Sequence, residues 1–365
     1  MSYSVCNTCI LDTTDPEITF NSEGTCHYCQ NFEGVKKQLE ENYKSQDQYF
    51  LNLKSELDKN KNRKYDSIIG LSGGVDSSYT VLLAKKYGFN PLLVHFDNGW
   101  NSETAVSNIR KLADYGGYDL KTYVINWNEF KDLQRSFLLA GVLDIEMLTD
   151  HAIMAALYQI SRETGLKNVL SGNNLATEYG MPPSWSWNKR DWTNIKDIHR
   201  QYGSVKLKTF PVFSTWKWIF VKRLKLGMNF IELLNHMPYR KADAIEELQK
   251  QCDWVYYGGK HYESIFTKFY QAYILPRKFN IDKRKAHYSS LIRNGEITRE
   301  DALSELNKPL YLEEDLLEEK SYVLKKLGFS EDEFEKIMNE SPRSHLDFKT
   351  DQHLFNRIQK LRGKL

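Results

Sequence analysis

No apolar run in this 365-residue chain approaches the roughly 18 to 20 uncharged residues needed to cross a bilayer. Met1-Ser2-Tyr3-Ser4 also lacks the basic and apolar stretches of an export signal, so a cytoplasmic location is the expectation. Charge of one sign is lacking too: 50 Lys and Arg face 48 Asp and Glu, a net of +2, which removes any bulk field favouring nucleic acid and leaves only a local basic patch open. Cysteine is scarce, and four of the five fall in one pattern treated below. The fifth, Cys252, lies between Gln251 and Asp253 in a helix-like run without a motif, and position 2 is serine. A glutaminase needs a supported cysteine nucleophile, so none is expected in this chain, and Cys252 reads as a small buried apolar residue. Absent as well are the GxxxxGK[ST] loop with its lysine and the GxGxxG fingerprint, which excludes two common nucleotide-binding designs. What remains is a chain with 41% hydrophobic and 27% charged residues, enough for at least one core, with two domains the natural expectation.

The most informative segment present is Gly70-Leu71-Ser72-Gly73-Gly74-Val75-Asp76-Ser77-Ser78, directly after the apolar Ser67-Ile68-Ile69. A strand that ends abruptly, small residues that expose backbone N–H groups, and a helix beginning at once make a pyrophosphate-binding loop. Leu71, Ser72, Gly73, Gly74, Ser77 and Ser78 form the candidate cradle, and Asp76 supplies a carboxylate for Mg²⁺. The helix continues from Tyr79 to Lys86 and ends near Gly88. This SGGxDSS pattern resembles the ATP pyrophosphatases of the adenine-nucleotide alpha-hydrolase superfamily. The resemblance implies ATP as substrate, cleaved between its alpha and beta phosphates, with an adenylylated intermediate.

Cys6-x-x-Cys9 and Cys26-x-x-Cys29, separated by sixteen residues, read as two knuckles closing a structural Zn²⁺ tetrahedron with no position left for water. A redox pair or a disulfide framework is the alternative. The surrounding turn-rich residues carry too little apolar surface to fold without a metal.

From Gly34 to Arg63, apolar positions spaced through Lys, Glu, Asn and Gln predict one or two surface helices. Strands are then expected at 67–69, 91–96, 121–125 and 168–171, alternating with helices, which argues a doubly wound, mostly parallel α/β sheet. Ligands bind such sheets at the carboxyl ends of the strands. In the resembled superfamily the end of the second strand meets adenine, making His95, Phe96 and Asp97 candidates for the base pocket, and a glycine-rich turn after the later strand closes over ATP, here Gly172 and Asn173. Asp150 and His151 stand at a helix start, where an Asp-His pair is either a site or a cap. Three tryptophans between Trp185 and Trp192 make a rigid loop that either stacks a ligand or packs on the sheet. Lys206 to Phe230 reads as a helical face closing a second region, with a membrane-surface helix as the alternative. Thr298 and Ser330, each followed by acids, mark helix starts in a supportive tail.

In the second half, Tyr256-Tyr257-Gly258-Gly259-Lys260-His261-Tyr262-Glu263-Ser264 and Ile281-Asp282-Lys283-Arg284-Lys285-Ala286-His287 concentrate anion-binding and proton-handling groups among aromatic residues. With the knuckles, SGGVDSS and Thr149-Asp150-His151, these motifs resemble the N-acetyl sugar amidotransferases of bacterial surface-polysaccharide and nonulosonic-acid biosynthesis, over nearly the whole chain. That resemblance implies conversion of an acetamido group on an activated sugar to an acetamidino group. It also implies ammonia from separate glutaminase and cyclase-like subunits. On this reading Lys260, Lys283 and Arg284 stabilise the leaving pyrophosphate with Mg²⁺ near Asp76, and His261, His287 or Glu263 takes a proton from ammonia. Asp150, His151, Glu178, Trp185 and His287 form the candidate substrate-binding set. A tRNA-modifying pyrophosphatase is the main rival, weakened by the single leftover cysteine and by the balanced charge; a non-catalytic nucleotide-binding scaffold is a third class. The expected organisation is a knuckle over 1–33, a helical linker over 34–63, the nucleotide core over 64–180, a substrate region over 181–300 and a helical tail over 301–365.

Overall fold

Short, fully apolar strands that alternate with helices must be covered on both faces, and the chain meets that demand with a wound parallel sheet. A computed structural model describes residues 3–59, 64–224, 226–259 and 262–362. Its strands are β1 (Ser67–Gly70), β2 (Pro91–Asp97), β3 (Leu120–Val124), β4 (Asn168–Ser171) and β5 (Asn229–Glu232). They pair in the order β3-β2-β1-β4-β5, every pair parallel. Two helices, α1 (His27–Lys44) and α2 (Gln46–Asp58), precede the sheet. Next come α3 (Val75–Lys86), α4 (Glu103–Gly116), α5 (Trp127–Ala140) and α6 (Met147–Thr164), interleaved with β1 to β4. A short α7 (Leu175–Glu178) follows β4, and α8 (Trp192–Tyr202) and α9 (Thr215–Arg223) lead to β5. Beyond β5 lie α10 (Lys241–Cys252) and α11 (Ile265–Phe269), which runs through a π turn (Tyr270–Ile274) into α12 (Leu275–Phe279). The chain continues with α13 (Arg284–Arg293), α14 (Arg299–Leu306), α15 (Glu313–Leu327), α16 (Glu331–Asn339) and α17 (Gln352–Arg362).

The period of two along each strand divides the core. Ile68, Leu92, Val94 and Val169 pack with Leu157 and Ile160 of α6 on one face. Their neighbours Ile69, Leu93 and Leu170 pack with Val81 and Leu82 of α3 and Ile109 and Leu112 of α4 on the other. β5 is a strand the sequence pattern does not announce: it has four residues, lies at the sheet edge, and leaves Asn229, Phe230 and Glu232 exposed. Its residues lie outside 64–180, so the sheet draws its last strand from the following region. Thr298 and Ser330 each close a capping box, as their spacing predicts. Among the described residues no helix is long and apolar enough to cross a membrane.

A separate core gathers the four cysteines, α5, α8, α11 to α13, α15 and α16. Trp185 is buried in it, a packing residue beneath the tryptophan loop. Two histidines serve this region in the same way. His151 Nδ1–H donates to the Lys189 carbonyl at 2.8 Å while Nε2 accepts the Phe213 N–H at 3.1 Å. His345 Nδ1–H donates to Asn194 Oδ1 at 2.7 Å while Nε2 accepts the Asp144 N–H at 3.2 Å. A backbone N–H can only donate, so each Nε2 must be unprotonated and each ring neutral.

Burial lowers both imidazoles to about 4. The unfolded chain therefore takes up these protons first, near the ordinary imidazole value of ~6.5. Stability should be insensitive to these rings above that pH and should fall as pH drops from about 6.5 toward 4, by roughly 3 kcal/mol for each ring. Thermal unfolding followed across that window should show the decline, with a shallower slope in a His151→Gln, His345→Gln double variant.

Candidate active site

Between β1 and β4 the strand order reverses, and a crevice opens at the carboxyl ends of the strands. The loop leaving β1 lies there. Gly73 has φ +84°, and a Cβ on it would stand 2.9 Å from the Ala105 carbonyl oxygen, so only glycine fits. Gly74 caps α3 in extended conformation. Ser72 and Ser77 hydroxyls approach to 3.1 Å, and Ser72 Oγ accepts the Gly74 N–H at 3.1 Å. Opposite, the turn after β4 presses on the first turn of α3: a Cβ on Gly172 would lie 2.6 Å from the Asp76 backbone carbon.

Residues from the second half brace the loop from behind. Tyr239 O–H donates to Asp76 Oδ1 at 2.5 Å, the Val75 N–H donates to Tyr257 Oη at 3.2 Å, and Trp254 Nε1–H donates to the Gly73 carbonyl at 3.3 Å. Burial, reinforced by Asp76, pushes the Tyr239 phenol well above its usual range, and burial with the Glu263 charge does the same for Tyr257. Both hydroxyls therefore keep their protons. Glu263 reaches the loop as well, its Oε1 lying 3.2 Å from where a Gly74 Cβ would stand. It is delivered by an antiparallel bridge between Asn101 and Ser264 and by the Ser102 N–H donating to its carbonyl at 2.9 Å.

A cavity of about 530 Å³ occupies the crevice. One wall is apolar, with Val94, Phe96, Ile153, Met154, Leu157 and Phe230; the other holds Ser72, Asp76, Ser77, Glu263 and Lys283. Along its edge runs a charge network. Lys189 Nζ lies 2.5 Å from Asp144 and 3.2 Å from Asp150, and Lys283 Nζ lies 3.0 Å from Glu146, which also accepts from Gln271 at 3.1 Å. Burial would raise the Asp144 carboxyl, but Lys189 and Lys283 hold it below the usual carboxylate range. Asp150 is held above that range, because desolvation against the cleft wall and the nearby Asp144 and Glu146 outweigh Lys189. Gln271 is presented by the π turn, a distortion often found where a helix must aim a side chain into a site. A second cavity of about 350 Å³ adjoins the first, and Asp76, Lys241, Gln271 and Lys283 line both. Its other walls carry Tyr256, Tyr262, Tyr288, Arg240 and His287.

The crevice thus brings together Leu71, Ser72, Gly74, Asp76, Ser77, Phe96, Asp150, Gly172, Asn173, Glu178, Glu263 and Lys283 from the residues picked out in the sequence. Arg284 and His287 border the second cavity. Others lie elsewhere. Ser78 is fully buried with its hydroxyl turned into the packing. His95 pairs its ring nitrogens with the Leu71 carbonyl at 3.0 Å and Asn101 Nδ2 at 3.1 Å, which makes it a strut under the loop and removes it from the cavity wall. Asp97 accepts the Gly99 N–H at 2.8 Å in a turn. His151 and Trp185 are core residues, as described above. Arg284 spends its guanidinium on Asp282 and on the carbonyls of Glu305, Leu306 and Lys308 at the end of α14, so it anchors a helix where pyrophosphate stabilisation was expected of it. Lys260 and His261 lie outside the described residues. Glu146, Lys189, Tyr239, Lys241 and Gln271 join the site without a motif to mark them, and Tyr257 joins it from the Tyr256–Ser264 segment.

The four cysteine sulfurs lie within 4.8 Å of one another, Cys6 to Cys29 at 4.0 Å and Cys9 to Cys26 at 3.7 Å. A tetrahedron with metal–sulfur bonds of about 2.3 Å has edges of about 3.8 Å, so the four fit one ion. The Thr8, Cys9 and Cys26 N–H groups all point at Cys6 Sγ, which favours a thiolate there. The knuckle is clamped onto the C-terminal helices: the Ile10 N–H donates to Ser289 Oγ at 3.2 Å, and Arg299 donates to the Cys9 and Cys6 carbonyls at 3.0 and 3.2 Å. Elemental analysis of purified protein should find one metal ion per chain. A Cys9→Ser, Cys26→Ser variant should lose it, and the melting temperature should fall by on the order of 5 °C.

Two solved structures resemble this fold at low scores. NMN synthetase from Francisella tularensis shares 17% identity over 58% of this chain and 71% of its own, with a TM-score of 0.34. The U34-tRNA thiolase NcsA from Methanococcus maripaludis, solved with its [4Fe-4S] cluster, shares 14% identity over 84% of this chain and 90% of its own, with a TM-score of 0.31. Neither likeness carries an argument about function. No curated protein matches the chain. A family model does: residues 263–362, which supply Glu263, Gln271, Lys283 and His287 to the two cavities, are similar to the C-terminal domain of the WbpG-like LPS biosynthesis proteins.

Proposed function

We propose that the protein is the synthetase component of an ATP-dependent amidotransferase that turns an acetamido group of a nucleotide-activated sugar into an acetamidino group, in bacterial surface-polysaccharide or nonulosonic-acid biosynthesis. The observation that carries this reading is the junction of two cavities at Asp76, Lys241, Gln271 and Lys283. The larger suits a nucleotide triphosphate: an apolar wall for the base, and an α3 N-terminus with Ser72 and Ser77 for phosphate oxygens. The smaller, with its tyrosines and cations, suits the sugar acceptor. The similarity of residues 263–362 to an LPS biosynthesis domain supports the substrate class.

The amide oxygen of the sugar attacks the alpha phosphorus, pyrophosphate departs, and the amide N–H proton is released, leaving an O-adenylyl imidate. Ammonia adds to its carbon and AMP leaves with the former amide oxygen. Lys283 and Lys241 stand at the junction to face the departing pyrophosphate. Asp76 would hold Mg²⁺, which when bound offsets the charge developing on that leaving group. Glu263, beside Gly74, takes the proton that ammonia sheds as it adds. The cysteine knuckle holds zinc in a structural role. Ammonia comes from separate glutaminase and cyclase-like subunits. Cys252 is buried in α10, lines neither cavity and donates its thiol to the Leu248 carbonyl, which leaves no thiol for a thiolation reaction among the described cavity residues.

Incubating the protein with ATP, Mg²⁺, an ammonium salt and a panel of UDP- and CMP-linked N-acetyl sugars should convert one sugar, read by mass spectrometry as an exchange of oxygen for NH. Oxygen-18 placed in the acetamido carbonyl should appear in AMP. Stimulation of AMP release by tRNA with no change in any sugar would point to the rival, a tRNA-modifying pyrophosphatase. Asp76→Asn should lower turnover at least about a hundredfold with the fold intact. Gly172→Ala forces its methyl onto the Asp76 backbone, and ATP affinity measured by calorimetry should drop at least about tenfold.

A further inference from the structure

Helix α9 packs one face onto α6 and leaves another face open. Thr215 and Val221 pack inward, but Trp216, Phe220 and Leu224, spaced by four along one face, are 63%, 60% and 50% exposed. Leu226 and Phe230, further along the chain, are exposed as well, at 40% and 39%. Phe230 also lines the larger cavity. Charge is distributed in the same unusual way. Between Asp197 and Glu232 the chain holds seven Lys and Arg and no acid, although the whole protein has a net charge of only +2. A second acid-free stretch, 352–365, holds four more cations. The two stretches meet where Trp218 of α9 packs against Phe355 of α17, with ring centroids 6.2 Å apart. Glu163, the acid nearest this face along α6, is paired with Lys121.

We propose that this face docks the protein peripherally on an anionic lipid surface, with Trp216, Phe220 and Leu224 entering the headgroup boundary and Lys217, Lys222 and Arg223 meeting lipid phosphates at its rim. An exposed apolar stripe rimmed by charged residues marks an interaction surface. Their composition selects the partner. Lysine is depleted at protein interfaces, whereas Lys and Arg flanking Trp, Phe and Leu characterise helices lying in a membrane interface. Nucleic acid would use the cations and stack on the rings but has no contact for the aliphatic Leu224 and Leu226. An anionic leaflet satisfies both halves of the face, attracting the acid-free segments over a Debye length and then burying the stripe. The proposal does not depend on the identity of the reaction, although it would hold the crevice close to a membrane-associated pathway.

The test is co-sedimentation of the full chain with vesicles of phosphatidylcholine alone and of phosphatidylcholine mixed with phosphatidylglycerol. The protein should sediment with the anionic vesicles only, and added salt should release it. A Trp216→Ser, Phe220→Ser variant should partition at least about tenfold less. A Lys222→Glu, Arg223→Glu variant should lose binding and its salt dependence while keeping the wild-type melting temperature. Failure of the wild-type protein to sediment with anionic vesicles at low salt would overturn the proposal. So would retention of polyuridylate RNA through the same four residues without vesicle binding, an outcome that would make the face a nucleic-acid surface.

Discussion

Everything in the site hangs on the close approach of two turns across the reversal of strand order. A parallel sheet that winds outward in both directions leaves a crevice between β1 and β4, and the chain sets its width by pressing the Gly172 turn against the backbone of Asp76. That contact has no room for a methyl group. It fixes the start of α3, and so the direction in which the N–H groups of its first turn face, before any side chain is considered. Gly73 against Ala105 fixes the other side of the same loop. The loop is therefore held by backbone geometry, with Tyr239, Tyr257 and Trp254 tying it to the second half of the chain.

Around that frame, charge does work that apolar packing cannot. Asp144 is buried, and its pair with Lys189 and the charge of Lys283 hold its carboxyl below the usual range; Asp150, at the same lysine but in the cleft wall, is pushed the other way. Two carboxylates drawn apart around one ammonium give the crevice edge an asymmetry of proton affinity, the arrangement on which acid and base roles are commonly built.

The loop and the knuckle were legible because each is local: a strand, two glycines, a serine and a helix within a dozen residues, or two CxxC turns. The parallel sheet followed from the alternation of β1, β2 and β4, whose residues are buried on both faces. β5 was not legible, because four residues at an exposed edge carry no apolar run to betray them. Lys189 and Glu146 were invisible for another reason, since their meaning comes from partners such as Asp144 and Lys283 that only the tertiary fold brings to them. His95 and His151 illustrate the opposite error: a histidine near a strand end or a helix start looks chemical until both ring nitrogens are seen to be occupied by the protein itself. For 206–230 the sequence offered a helical face closing a second region or a membrane-surface helix, and only Thr215–Arg223 of it is helix, because the residues on either side are held in turns and in β5.

The clamp on the knuckle has a consequence for the order in which the molecule can be made. Cys6 to Cys29 leave the ribosome ahead of the groups that seat them, Ser289, Arg293 and Arg299, which follow about 280 residues later. At translation rates of ~5–20 residues per second the knuckle waits roughly 15–60 s for its dock. A metal ion taken up early would keep these thiolates together and unreactive through that interval, and the site would then guard a nascent chain before supporting a finished one.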